Sequence, residues 1–290
     1  MKLRILLIGK TGQLGESLIR LNNNHEIVAP SREVLDLRDV NSIRKSISTL
    51  SPDIIINTAA FHNLPECETH PLQAFSYNFV AVQNLSLICK EYNKFLISFS
   101  TDYVFDGTKQ TPYNENDPIN PLQIYGLSKA AGELAVFKHC PDSSIIIRTC
   151  GLYGITGSKS RGGNFVDNRI SDASQYAELE ISSDQTVTPT FTDDLANALF
   201  KVIKHRDALV GILHLVNEGS CTWADFTKEI YRQMGLTNLV IPINREGYSG
   251  TMKRPAYSVL NNVRAKALGI TLPHWNDALN RFISSKYKNY

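Results

Sequence analysis

Tyr125 and Lys129 stand four residues apart in Tyr125-Gly126-Leu127-Ser128-Lys129, just before a helical run. That spacing puts a phenol and an ammonium on one helix face. A free tyrosine, with a pKa near 10, transfers protons poorly at neutral pH, and a neighbouring lysine cation favours the phenolate. Each pKa unit corresponds to about 1.4 kcal/mol, so bringing the phenol near 7 takes about 4 kcal/mol, within reach of a desolvated site with a cation alongside. The chemistry on offer is general acid–base catalysis. A surface Tyr–Lys pair has the same spacing, so the pair acquires meaning only from its context.

Three further stretches supply that context. Gly9-Lys10-Thr11-Gly12-Gln13-Leu14-Gly15 follows the apolar run Ile5–Ile8 and opens a helix near Gln13. Glycines at Gly9, Gly12 and Gly15 permit a tight turn, close approach of a pyrophosphate to the backbone and close helix–strand packing, and the helix N-terminus adds its positive end. Thr11, Gln13 and Leu14 complete this candidate dinucleotide contact. Ser98-Phe99-Ser100-Thr101-Asp102-Tyr103 ends the run Phe95–Phe99, where a hydroxyl can donate to a substrate carbonyl. Asn57-Thr58-Ala59-Ala60 ends the run Ile54–Ile56, and small residues such as Ala59 and Ala60 let a cofactor ribose approach the backbone. After the run Glu26–Ala29 come Pro30, Ser31 and Arg32 in place of an acid for the ribose 2′-hydroxyl. Ser31 and Arg32 suit a 2′-phosphate instead, which favours NADPH with NADH as the alternative; Arg32 as a solvated surface residue is the plainer explanation.

The elements that must position these residues alternate in type. Short β-branched runs at Ile5–Ile8, Glu26–Ala29, Ile54–Ile56, Phe95–Phe99 and Ile145–Ile147 are separated by amphipathic stretches. Val40, Ile43, Ile47 and Leu50 fall on one helix face, and Leu72, Phe75, Phe79 and Val82 are spaced to form another. Continuous apolar strands separated by helices predict an α/β fold: a doubly wound, Rossmann-like parallel sheet. A smaller C-terminal substrate lobe completes the expectation. Residues 1–154 form the dinucleotide-binding domain with 179–217 returning to it, and 155–178 and 218–290 form the lobe. Thr156–Gly163 reads as a mobile loop, Leu179–Phe200 as strand, turn and helix, Ile212–Val216 as a strand, and Thr222–Met234 as a helix with Trp223, Phe226, Ile230 and Tyr231 on one side.

Composition agrees. The chain has 290 residues, enough for about two domains, and its 42% hydrophobic and 20% charged residues are those of a globular protein with a sizeable core. Thirty basic against 28 acidic residues leave a net charge of +2, which gives no electrostatic reason to expect nucleic acid or an anionic membrane as partner. No apolar run reaches the ~20 residues of a membrane span, and Ile5–Ile8 is too short for a signal peptide. Five scattered cysteines without a CxxC pair argue against a disulfide framework or a metal site and for a reducing, cytoplasmic setting.

The GxxGxxG turn with the later YxxxK resembles the extended short-chain dehydrogenases/reductases. Within them the chain resembles the dTDP-4-dehydrorhamnose reductases along nearly its whole length. Carrying that resemblance are Gly12-Gln13-Leu14-Gly15, Asn57-Thr58-Ala59-Ala60, Cys67-Glu68, Ser100 to Gly107, Tyr125 to Glu133, Arg148-Thr149, Asp184-Gln185 with Pro189-Thr190, and Arg254-Pro255 with Ser258. The resemblance implies hydride reduction of a nucleotide-sugar 4-ketone, with Tyr125 as proton donor, Lys129 tuning it and holding the nicotinamide ribose, and Thr101 polarising the carbonyl; Ser100 competes with Thr101. It places Asp39 and Asn78 at the cofactor, although Asp39 also suits a helix N-cap. Asn63, Glu66, Thr101, Asp102 and Tyr103 are placed near the sugar, and Arg254 is suited to the diphosphate, with a plain loop charge as its alternative; Gln185 is placed on the lobe interface, with a purely structural role as its alternative. The partners expected are a nucleotide-sugar substrate and, as one assembly open to the chain, a second copy in a homodimer.

Two departures fall where the sugar should sit. After Arg148-Thr149 the family usually has Ser-Trp, and here Cys150-Gly151 stand instead. The loop after Ala60 reads Phe61-His62-Asn63-Leu64-Pro65 where the family has a more polar stretch containing Val-Asp; a solvated His62 is the simpler expectation there. Two other functions use similar motifs: a nucleotide-sugar epimerase or other sugar-modifying enzyme, and a non-catalytic regulatory subunit of methionine adenosyltransferase. Tyr103, standing where dehydratases carry an acid, argues against dehydration.

Overall fold

The computed structural model describes residues 2–157, 162–244 and 252–287. Residues 158–161 of the expected mobile loop, with 245–251 and 288–290 of the expected lobe, lie outside the described residues.

Six parallel strands form the central sheet: β1 (Arg4–Ile8), β2 (Glu26–Val28), β3 (Ile54–Asn57), β4 (Phe95–Thr101), β5 (Ser144–Thr149) and β6 (Gly211–His214), in the order β6-β5-β4-β3-β1-β2. The order reverses at β1, which pairs with β2 on one side and β3 on the other. Such a switch point opens a crevice at the strand C-termini, here between the glycine-rich turn after β1 and the Asn57–Ala60 segment after β3.

Alternation along the strands feeds two cores. Ile5, Leu7, Ile54, Ile56 and Ile97 meet Leu14 and Leu18 of α1 (Gln13–Leu21) and Leu195, Leu199 and Val202 of α8 (Thr192–Lys204). Leu6, Ile8, Ile55, Leu96 and Ile146 face the other way, onto Ile43 and Ile47 of α2 (Val40–Leu50), Val82 and Leu85 of α5 (Ala81–Glu91) and Val136 of α6 (Ile124–His139). Burial on both faces is why these strands read as unbroken apolar runs.

Two strands run two residues past the ends of their apolar runs. β4 continues to Thr101 and β5 to Thr149, because Ser100 pairs with Arg148 and Thr101 with Thr149 in the ladder. Buried Arg148 is accommodated there by Glu133 of α6, 2.7 Å away, and by the Phe105 ring, 5.1 Å from its guanidinium carbon. β2 is one residue shorter than expected, ending at Val28.

The stripe Leu72, Phe75, Phe79, Val82 does not form one buried face. Leu72 is 87% exposed, and the side chains turned inward are Ala74, Asn78, Ala81, Val82 and Leu85. Leu72 lies on the outer side of the short α4 (Pro71–Phe75), and between α4 and α5 a π-helical segment, Ser76–Val80, interrupts the period. Its wider turn shifts the register of the following residues, so a 3.6-residue period cannot run through it.

Beyond β5 a third core forms from Phe226 and Ile230 of α9 (Trp223–Met234), Val166 of α7 (Phe165–Ala173) and Leu279 and Phe282 of α10 (Trp275–Tyr287), gathered around Tyr153. Arg281 of α10 pairs with Asp194 of α8 at 2.7 Å, tying this core to the sheet. All five cysteines are buried free thiols. No helix among the described residues is long and apolar enough to cross a membrane.

Candidate active site

The first turn of α6 is held by two unusual acceptors. Gln123 Oε1 accepts from the Gly126 N–H at 2.6 Å, and Glu68 Oε1, from α3 (Leu64–Thr69), accepts from the Ile124 N–H at 2.7 Å. Both satisfy helix-start donors that have no intrahelical partner. The turn lies directly on the end of β4: a Cβ at Gly126 would come 2.1 Å from the Tyr103 carbonyl oxygen. The rings of Tyr103 and Tyr125 meet edge-on with centroids 6.3 Å apart, and Lys129 Nζ donates to the Phe99 carbonyl at 2.6 Å. Tyr125 and Lys129 are thus set against the two ends of the segment Phe99–Tyr103, which carries Thr101 at its centre.

Gly126→Ala tests this contact. The backbone must shift to admit the methyl, at a cost of about 1–3 kcal/mol, and the shift lifts Tyr125 from β4. Turnover is expected to fall about tenfold or more while dinucleotide binding persists; denaturant midpoints and steady-state rates check both effects.

Lys129 is buried, and desolvation pulls its ammonium down to about 8 from an ordinary 10.5, opposed by the Glu133 carboxylate. Ser100, on the same side of β4, has a buried hydroxyl without a hydrogen-bond partner. The Thr101 hydroxyl donates to Asp102 Oδ1 at 3.0 Å and accepts from the Tyr103 N–H at 3.2 Å.

Asp102 is turned inward from the substrate position the resemblance gave it. The residue is 4% exposed, burial pushes its carboxyl up, and the Cys150 thiol donates to its Oδ2 at 3.1 Å. The buried Ser258 hydroxyl lies beside both groups. The Cys150-Gly151 departure has a local logic: the thiol serves Asp102, and Gly151, at φ +56°, is backed by Trp223, whose ring lies 3.3 Å from where a Cβ would stand.

At the switch point Gly9 has φ +94°, and a Cβ there would come 2.5 Å from Thr58 Oγ1; one at Gly15 would come 2.3 Å from the Gly9 carbonyl oxygen. Gly12 meets only the Gly9 carbonyl, at 3.4 Å, and is the N-cap of α1 with no side-chain cap. An uncapped helix start facing open space suits a pyrophosphate, so these residues fit a dinucleotide. Thr11 is exposed at the turn, Leu14 is in the core, and Gln13 Nε2 donates to the Leu152 carbonyl at 3.3 Å.

Other expected contacts have different surroundings. Asn78, in the π-helical segment, binds the Phe61 N–H at 2.9 Å, the Phe61 carbonyl at 2.8 Å and the Ser128 hydroxyl at 3.0 Å, and so braces the Ala59-Ala60 lip against α6. Asp39 caps α2, accepting from the Asn41 N–H at 2.9 Å. Asn63 is the N-cap residue of α3, Glu66 is exposed on its first turn, and His62 lies in the half-buried loop before it. Half-buried Arg254 precedes Pro255, which packs so closely on Gly107 (φ +78°) that a Cβ there would come 2.6 Å from it; the Arg254 loop therefore docks on the turn after β4. The sequence pattern gives no role to Gln123, Glu68 or Ser258. A glutamine is an uncommon cap, and contacts between residues 56 and 156 positions apart leave no local pattern.

A parallel sheet with a glycine-rich turn at its switch point and a Tyr–Lys helix on the neighbouring strand end is the architecture of a short-chain dehydrogenase/reductase. The chain belongs to the family described as the RmlD substrate binding domain, whose model matches residues 2–288. It is similar to the spore coat polysaccharide biosynthesis protein SpsK of Bacillus subtilis strain 168, with 35% identity over 285 residues and 98% of each chain covered. It is also similar to the dTDP-4-dehydrorhamnose reductase of Streptomyces griseus, with 34% identity over 283 residues covering 95% of this chain and 91% of that one. Among solved structures, the dTDP-4-dehydrorhamnose reductase of Bacillus anthracis strain Ames in complex with NADP superposes with a TM-score of 0.91 at 30% identity, covering 98% of this chain and all of that one, 100%. The resemblance carried by the motifs is borne out.

Proposed function

We propose that the protein is an oxidoreductase that reduces the 4-keto group of dTDP-4-dehydrorhamnose to dTDP-rhamnose with NADPH. The observation that carries this reading is the setting of Tyr125 and Lys129 against Phe99–Tyr103, beside a switch-point crevice whose glycines leave room for a pyrophosphate. Family membership and the relatives' names support the substrate class, and the NADP complex of the B. anthracis relative supports the cofactor.

In this mechanism Gly9, Gly12 and the start of α1 hold the pyrophosphate, Ala59 and Ala60 border the adenosine side, and Ser31 and Arg32 meet the 2′-phosphate. When bound, the reduced nicotinamide supplies a hydride to the sugar C4. Tyr125 gives its phenolic proton to the C4 oxygen, which becomes the hydroxyl of the product. Lys129, its ammonium tied to the Phe99 carbonyl, favours the phenolate left behind and binds the nicotinamide ribose. Thr101, once its hydroxyl turns from Asp102, donates to the developing oxyanion, and Arg254 meets the sugar diphosphate. We assign residues 155–178 and 218–290 to the sugar nucleotide and 1–154 with 179–217 to the dinucleotide.

Oxidation of NADPH followed with dTDP-4-dehydrorhamnose tests the reading, and stoichiometric dTDP-rhamnose is the expected product. Protein that purifies with NAD and turns over a sugar nucleotide without added reductant would instead be an epimerase. Copurification with a methionine adenosyltransferase, and no NADPH oxidation on any sugar ketone, would identify a regulatory subunit.

A further inference from the structure

A second guanidinium stands beside Arg32. Because β2 runs parallel to β1 with Val28 opposite Leu6, the turn bearing Ser31 and Arg32 emerges next to the glycine-rich turn. Arg38 is folded back to the same place. Its Nη2 lies 2.7 Å from Asp36 Oδ2 and its Nε 3.1 Å from Oδ1, while Arg32 Nε lies 3.7 Å from that same Oδ2. Both guanidiniums lie over the Tyr77 ring, Arg32 at 5.6 Å and Arg38 at 5.0 Å, and Arg32 also donates to the Tyr77 hydroxyl. Tyr77 is stacked on Phe61, the residue after the Ala59-Ala60 lip, with centroids 5.9 Å apart.

Asp36 lies between the two cations, and the Glu33 carboxylate faces both Arg32 and Lys10, so three cations meet two carboxylates at this turn. The Arg32 and Arg38 side chains remain 60% and 46% exposed, so the residual positive charge is open to solvent. A phosphate monoester carries about −1.5 to −2 charges at neutral pH and three acceptor oxygens, a match for the Arg32 fork and for the guanidinium edge of Arg38 that Asp36 leaves open. A ribose hydroxyl has neither the charge nor the acceptors.

We propose that Arg38 joins Arg32 in a two-armed clamp for the cofactor's 2′-phosphate, with Asp36 spacing the arms and Tyr77 setting their plane, and that Arg38 thereby determines the preference for NADPH over NADH. This rests on the reading of the switch-point crevice as a dinucleotide site. The six-residue step from Arg32 to Arg38 hides the pair in sequence; the turn between them closes it.

The test is equilibrium binding to the purified full-length protein, by fluorescence or calorimetric titration with NADPH, NADH, 2′,5′-ADP and 5′-AMP. Arg38→Ala is expected to weaken NADPH and 2′,5′-ADP by about tenfold or more and to leave NADH and 5′-AMP within about twofold. Arg38→Lys falls between, since it keeps the charge and loses the fork. Raising the salt concentration should erode the NADPH preference of the wild type more than that of Arg38→Ala. Equal weakening of NADPH and NADH would make Arg38 a structural residue of the turn and overturn the clamp, as would an unchanged NADPH affinity. Wild-type protein that binds neither dinucleotide would overturn the dinucleotide reading itself.

Discussion

Tyr125→Phe is expected to lower turnover by at least about a hundredfold, the usual contribution of a positioned acid, with NADPH affinity near that of the wild type. The substitution removes one oxygen. The ring keeps its edge-on packing against Tyr103, and the first turn of α6 keeps its Gln123 and Glu68 acceptors, so the fold gives no reason for the loss. Without the phenol, the oxygen that develops charge at C4 must take its proton from water. Rates of NADPH oxidation with dTDP-4-dehydrorhamnose, set beside a dinucleotide titration, separate chemistry from binding. Near-normal turnover in the variant would remove Tyr125 as proton donor.

Lys129→Met is expected to abolish most activity and yet stabilise the protein at neutral pH. Activity falls by about 10²–10⁴ because the phenol loses the cation that tunes it. The stability gain comes from desolvation. Lys129 titrates near 8 when folded, against an ordinary 10.5, because burial disfavours the ammonium. Between those values the unfolded chain binds the extra proton, so stability rises with pH across that window. Below pH 8 both states are charged, and the folded state bears a penalty of about 3 kcal/mol. Methionine removes the penalty and leaves the Phe99 carbonyl without its donor, a loss of about 1 kcal/mol. The variant should therefore be more stable at pH 7 by about 1–2 kcal/mol, with the advantage fading as pH approaches 10.5. Denaturant midpoints of both proteins from pH 6.5 to 10.5 check this. A variant less stable at pH 7, by a margin that does not vary with pH, would show that Lys129 carries no burial penalty.

Much of this was legible in the chain itself. The apolar runs, their helical spacers and the glycine turn specify a parallel doubly wound sheet, because strands buried on both faces must be continuously apolar and a tight turn before a helix needs glycine. Tyr125 and Lys129 share one helix, so their four-residue spacing alone sets them on one face. What escaped was whatever the tertiary structure assembles from distant segments or interrupts locally. The π-helical segment at Ser76–Val80 breaks the period that made Leu72, Phe75, Phe79 and Val82 look like one face. Polar strand ends such as Ser100–Thr101 and Arg148–Thr149 are held by ladder partners rather than by their own apolarity. Glu68 at the head of α6, Cys150 and Ser258 around Asp102, and Arg38 beside Arg32 came together only on folding. Periodicity records contacts within an element, because neighbours on one helix or strand recur at a fixed spacing. Contacts between elements depend on how loops return the chain, and that leaves no regular trace in the order of residues.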